Sequence, residues 1–315
     1  MRKKKIDHRL CRVCEYPLGK VRDAQGHKDD GYCSGKCRKQ DEGYSESYTR
    51  AKERAIQEME GVTAWKPPPL DPILKVSSTK PITIMSDLHL PLASENWIKH
   101  SIECAKALDS EVLILNGDVM DLNQISRHMG SYYRRKQELG DDFDACEYFL
   151  KLICPAFRKV YWLSGNHCIE RLIKLFRGEV GASRLLQMVG SYDNLKITSR
   201  SYLDVNKNVR ICHPRQYSRN RSVLAQKLAQ RWQMHIVTGH QHHAAKAVSP
   251  DGKWQAVDVP AMCQPDIQDY VRNELNDYPE PLQGFGVVSG EYIEVFTKFT
   301  NWDLFGLPKP KKPLE

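Results

Sequence analysis

Five short apolar segments of this chain each run directly into a loop that carries aspartate, asparagine or histidine. Residues 81–86 (PITIMS) lead into Asp87 and His89, and residues 111–116 (EVLILN) into Gly117 and Asp118. Residues 159–164 (KVYWLS) lead into Gly165, Asn166 and His167, residues 209–212 into His213, and residues 235–238 (HIVT) into Gly239, His240, Gln241 and His242. Short runs rich in β-branched and aromatic residues read as buried strands. Helical patterns over 97–108, 141–156 and 222–232 lie between them. This alternation predicts an α/β chain with central β-sheet flanked by helices, and sites in such sheets form beyond the carboxyl ends of the strands. After His243 the pattern changes: 246–248, 254–257, 286–289 and 292–297 read as hairpin strands, with Pro250-Asp251-Gly252 as a turn. One Asp-x-His after a strand is commonly a cap; capping does not call for five ligand-bearing loops in one chain.

Charge divides the chain further. Residues 1–40 hold 12 Lys/Arg and 5 Asp/Glu, net +7, out of a total of 47 − 39 = +8. A near-neutral body thus carries a basic head. The head contains Cys11-x2-Cys14 and Cys33-x3-Cys37, a spacing that suits one structural zinc held by four thiolates. So polar a piece cannot bury enough apolar area to fold alone, and zinc would supply much of its folding free energy. It resembles small treble-clef or ribbon modules. Its lysines and arginines suit the phosphates of DNA or RNA, or else a partner protein. The expected organisation is a zinc-binding module over 1–40, a linker over 41–80 with a helix at 46–60 and a stiff Pro67-Pro68-Pro69 spacer, a body over 81–300, and a polar tail over 301–315. The start of the chain has no apolar segment of a secretory signal, no run is long enough to span a membrane, and the six scattered cysteines show no disulfide framework. A cytoplasmic protein is expected.

Taken in order, SDLH, NGDVMD, SGNH, CHP and GHQH resemble the motif series of the calcineurin-like metallophosphoesterase superfamily, over about residues 81–300. SDLHLP and GDVMDLNQISRH look like the compact type found in phage and bacterial genomes. The resemblance implies central β-sheets flanked by helices, two divalent ions (Mn, Fe, Zn or Ni) and hydrolysis of a phosphoester by in-line attack of hydroxide. It implies that Asp118 bridges the ions, since a carboxylate can span two cations and a neutral imidazole cannot. By the same resemblance Asp87, His89 and His242 complete one ion's protein ligands, and Asn166, His213 and His240 the other's. A mixed nitrogen and oxygen set without thiolate suits borderline divalent metals.

His167 directly follows a ligand and is the expected catalytic group, protonating the leaving oxygen or stabilising its charge. In much of the family an acid follows this histidine; here Cys168 stands there and the acid comes at Glu170. Asp121 and Glu170 are therefore both candidates to orient a histidine, with a helix cap as the other reading of Asp121. Arg127 and His128, at the start of SRHMGSYYRRK, are candidate substrate contacts, because cations interleaved with tyrosines suit phosphates and stacked bases. The expected substrate is nucleic acid or a nucleotide. A phosphomonoesterase acting on phosphoproteins or small phosphoesters, and a binding protein with an inactive body, are the alternatives.

Overall fold

Strands form where the apolar runs were expected, and each is buried on both faces. The computed structural model describes residues 35–57, 71–125, 138–175, 188–264 and 281–311, in two units that divide between Pro69 and Leu70. In the first unit the described residues are one helix, α1 (Gly35–Gln57). The helix expected over 46–60 thus begins eleven residues earlier, because 36–45 hold Lys, Arg, Gln and Glu and no proline. Cys37 lies in it, whereas Cys11, Cys14 and Cys33 lie outside the described residues, as do Arg127 and His128.

The second unit contains two six-stranded sheets. Its strands are β1 (Lys75–Val76), β2 (Ile82–Met85), β3 (Val112–Leu115), β4 (Lys159–Trp162), β5 (Leu195–Ile197), β6 (Tyr202–Val205), β7 (Val209–Cys212), β8 (His235–Thr238), β9 (Ala245–Val248), β10 (Gln255–Asp258), β11 (Gly284–Ser289) and β12 (Tyr292–Thr297). One sheet has the order β12-β11-β2-β3-β4-β5, with β2 to β5 parallel. The other has the order β1-β6-β7-β8-β10-β9, with β7, β8 and β10 parallel. Ile82, Ile84, Val112, Ile114 and Tyr161 of the first sheet meet Leu203, Val205, Val209, Ile211, Val237 and Val257 of the second in one apolar layer. The alternate residues Met85, Leu113, Leu115, Val160 and Trp162 face away from that layer, into a second core. This core takes in residues of α2 (Glu95–Ala107), α3 (Leu139–Ile153) and α4 (Ile169–Leu175). A third, smaller core joins β7, β8 and β10 to α5 (Val223–Trp232). Strands covered on both faces read as continuous apolar runs, which is why they were legible in the sequence.

The helix limits follow local chemistry. Ser94 caps α2 by accepting from the Trp97 backbone N–H. Glu138 and Asp141 form a capping box at the start of α3. At its end Pro155 has no N–H to continue the ladder, and the chain tightens into a 3-10 turn at Cys154–Ala156.

Three strands were not expected. β1 lies within the stretch read as a linker, and β5 and β6 are too short and mixed in polarity to signal themselves. The β6–β7 hairpin turns on Asn206 and Lys207, both at positive φ (46° and 71°), without the glycine that usually marks such a turn. Asn206 also hydrogen-bonds both backbone groups of Ser78, fixing the strap that carries β1. The tail expected over 301–315 is partly core: Trp302 and Leu307 are buried, and Trp302 stacks on Phe296 at 5.8 Å. No described helix is long and apolar enough to cross a membrane.

Candidate metal centre

The loops after β2, β3 and β4 in one sheet and after β7 and β8 in the other converge at the carboxyl ends of these strands. Both sheets therefore supply the set. Backbone N–H donors tie the loops together: His89 N–H donates to the Asp118 carbonyl (2.9 Å), and His240 N–H donates to the Asp87 carboxylate Oδ2 (2.9 Å). Asp87, His89, Asp118, His240 and His242 all adopt positive φ, between 45° and 69°. For residues other than glycine this conformation costs roughly 1–3 kcal/mol each and persists where surrounding structure enforces it. The glycines of the motifs permit the close approach. A Cβ on Gly117, itself at φ +76°, would stand 2.3 Å from the His213 ring, and one on Gly165 would stand 2.2 Å from Asp118.

All seven expected ligand residues are brought together. The ligand atoms of Asp87, Asp118, His213 and His240 lie within 4.8 Å of one another. Asp118 Oδ2 is 3.0 Å from His213 Nε2, which is 3.2 Å from Asn166 Oδ1. Asp87 Oδ1 is 3.3 Å from His242 Nε2 and 4.0 Å from His89 Nε2. Asp87 Oδ1 and His89 Nε2 are buried and have no hydrogen-bond partner among the described residues. Buried polar atoms are normally satisfied. These two facing acceptor atoms fit a cation between them, and the nitrogen and oxygen donor set around them fits a divalent ion of the first transition row.

The ring orientations are set from outside the cluster. His213 Nδ1 donates to Asn116 O (2.8 Å), and His89 Nδ1 donates to Asp121 Oδ1 (2.9 Å). In the neutral ring each bond fixes the tautomer whose Nε2 is a lone-pair donor. Asp121 Oδ1 also stands 3.2 Å from His167 Nδ1, so one carboxylate orients both rings. His167 N–H donates to Asp118 Oδ1 (2.7 Å), and its ring stands edge-on to His89 at 4.6 Å.

Glu170, the other candidate for orienting His167, is engaged elsewhere. It pairs with Lys174 one turn along α4 and with Arg215 Nε at 2.9 Å. Its place in the first turn of α4 directs it along the helix surface, away from the His167 ring nitrogen that Asp121 holds. His243 is buried, its Nδ1 3.7 Å from Asp258 Oδ2. Cys168 and Cys212 are core thiols; burial pushes both up, Cys212 to about 12.

Two residues had no signal in the sequence. Arg171 Nη1 donates to Asp121 O (2.7 Å) and Leu122 O (3.2 Å), holding the loop that carries the orienting carboxylate. Cys263 comes from the loop after β10, where its N–H donates to Asp87 O, and its sulfur lies within 4.8 Å of ligand nitrogens of His89 and His242. Its position 21 residues after His242 belongs to no ligand spacing.

Electrostatics bind the cluster into one unit. Burial opposes charge on Asp87, yet His242 and His213 hold its carboxyl well below the usual range. Burial likewise opposes charge on Asp118, and His213 and His167 outweigh it. Burial disfavours the His213 cation, but Asp118 and Asp87 raise it to about 9. Burial and the neighbouring His213 take His240 down to about 4.

A divalent ion entering this cluster would have to displace the proton that His213 holds below about pH 9. Because that value is raised, binding competes with protonation throughout the neutral range and strengthens as pH rises. Mn²⁺ affinity is expected to increase about tenfold per pH unit for each proton released, between pH 6.5 and 8.5. Calorimetry in buffers of different ionisation enthalpy measures the protons directly. An affinity flat across that range, with no proton release, would contradict the expectation.

A family model described as calcineurin-like phosphoesterase matches residues 80–267. No curated protein sequence matches the chain. Among solved structures, the chain is similar to the phosphoesterase Yfce from E. coli, with 15% identity, TM-score 0.36, and coverage of 69% of this chain and 92% of that one. It is also similar to Vacuolar Protein Sorting 29 from Cryptosporidium parvum (12%, 0.37, 69% and 98%). The nuclease MPE from Pseudomonas putida is a third such structure (12%, 0.32, 68% and 87%).

Proposed function

Because the chain belongs to the calcineurin-like phosphoesterase family, which the match over most of its body shows, we propose that it is a two-metal phosphodiesterase acting on nucleic acid or nucleotides. The observation that supports this reading is the convergence of seven candidate ligand side chains from five loops, with Asp118 in reach of Asp87, His213 and His240.

In this reading Asp87, His89 and His242 hold one ion, Asn166, His213 and His240 hold the other, and Asp118 serves both. Such ions, when bound, supply charge neutralisation at the phosphoryl oxygens and a nucleophile at neutral pH. The chain's own residues do the rest. Asp121 and Asn116 fix the imidazole tautomers, so that the rings arrive with lone pairs already aimed. His167, with Nδ1 held by Asp121, presents Nε2 to the leaving-group oxygen and delivers the proton that the departing alkoxide needs. Burial lowers its tendency to hold a proton, so a bound phosphoester must restore the charge. In the same reading Cys11, Cys14, Cys33 and Cys37 hold a structural zinc in a head that contacts the substrate backbone, and Arg127 and His128 add phosphate contacts.

The test is an activity panel with Mn²⁺, Fe²⁺, Zn²⁺ or Ni²⁺ over single-stranded DNA, duplex DNA, RNA, cyclic nucleotides and phosphopeptides, with metal analysis of the same preparation. Turnover of a nucleotide diester with about three ions per chain is expected. Phosphate release from phosphopeptides alone would transfer the reading to a phosphomonoesterase. No turnover, with zinc confined to the head, would favour a binding protein.

A further inference from the structure

The loop between β7 and α5 begins at the ligand His213 and reads Pro214-Arg215-Gln216-Tyr217-Ser218-Arg219-Asn220-Arg221. It carries three arginines and one tyrosine, and Tyr217 is 42% exposed. Exposed tyrosines are ordinary; the way this one is held is not. Gln241, the residue between His240 and His242, is 2% exposed and spends both ends of its amide on the loop. Its Oε1 accepts from Ser218 N–H (2.7 Å), and its Nε2 donates to Gln216 O (2.8 Å). These bonds grip the backbone on either side of Tyr217. The Tyr217 ring stands edge-on to the His240 ring, with centroids 6.4 Å apart, and 6.0 Å from that of His243. At the other end of the loop Arg215 Nε pairs with Glu170, in the turn that follows His167.

An exposed aromatic ring is thus anchored to a ligand-bearing loop, at the edge of the cluster, by a buried residue of that loop. Core packing does not require this, since much of the ring meets solvent. Anchoring lowers the entropy lost when a ligand settles on the ring, and a planar base is the phosphoester substituent that gains most from a fixed aromatic face. Resting on the phosphodiesterase reading above, we propose that Tyr217 is the stacking platform for a substrate base, that Gln241 is its positioning residue, and that the substrate is a diester with a nucleoside on the His240 side of the centre.

The test compares a thymidine dinucleotide with its analogue in which one base is replaced by hydrogen at an abasic sugar, each analogue made in turn, under the same metal. Both keep the scissile phosphate and the sugar. In the native protein one of the two analogues is expected to show kcat/KM about 5- to 100-fold below the dinucleotide, mostly through KM. In Tyr217→Ala that ratio is expected to fall toward one, and in Tyr217→Phe to persist, because the ring rather than the hydroxyl does the stacking. A ratio of one for both analogues in the native protein, or an undiminished ratio in Tyr217→Ala, overturns the inference while leaving the phosphodiesterase reading in place. Failure of the native protein to cleave any of the diesters overturns both.

Discussion

Asp118→Asn is expected to lower Mn²⁺-dependent hydrolysis of bis-p-nitrophenyl phosphate by about three orders of magnitude, the scale of the several kcal/mol that a metal centre contributes. The argument rests on position and charge together. Asp118 is fully enclosed, with one oxygen facing the His167 N–H and the other facing His213 Nε2. It lies within 4.8 Å of ligand atoms of Asp87, His213 and His240, so in the proposed arrangement one negative charge would serve both ions. Asparagine preserves the volume and one acceptor oxygen but removes that charge. Metal analysis should accordingly show loss of at least one of the two ions, with circular dichroism and the thermal transition close to those of the native protein. Unchanged turnover in a variant that still holds both ions would remove Asp118 from the role given to it.

His167→Ala is expected to cost about 10²- to 10⁴-fold in kcat, the usual range for a general acid, with both ions retained. Its side chain keeps 23% of its surface open, against 2% or less for His89 and His213, and Asp121 occupies Nδ1. The ion count distinguishes a lost proton donor from a lost ligand. A second readout is the leaving group: p-nitrophenolate departs without help, whereas an alkoxide needs a proton. The loss should therefore be larger on a dinucleotide than on a nitrophenyl ester. Equal losses on both, or a fall in metal content, would show that His167 supports the centre instead of protonating the product.

The convergence of the candidate ligand residues was legible in the sequence because each sits in a short loop directly after a buried strand. Strand and loop are local features, and the order of five such loops is a one-dimensional pattern. The same locality limited the rest. Glu170 looked as good as Asp121 for orienting His167, because both lie a few residues from a ligand. The choice fell to side-chain direction: α4 turns Glu170 toward Lys174 and Arg215, and the loop held by Arg171 turns Asp121 toward His167 and His89. The edge strand β1 was missed for a related reason. Two residues carry no period, and Lys75–Val76 becomes a strand only because β6 offers it an edge.

What the sequence determined alone was the inventory: which strands would be buried, which loops would carry ligands, and what chemistry those ligands suit. Tertiary structure decided how the inventory is shared out. It shared the candidate ligand loops between the two sheets, brought Cys263 beside His89 and His242 from a distant loop, and set Gln241 to grip the loop that presents Tyr217. Periodicity records which side of its own element a residue faces. It does not record which other element lies across from it, because that is fixed by the packing of two twisted sheets face to face and by the backbone bonds that lock their loops together.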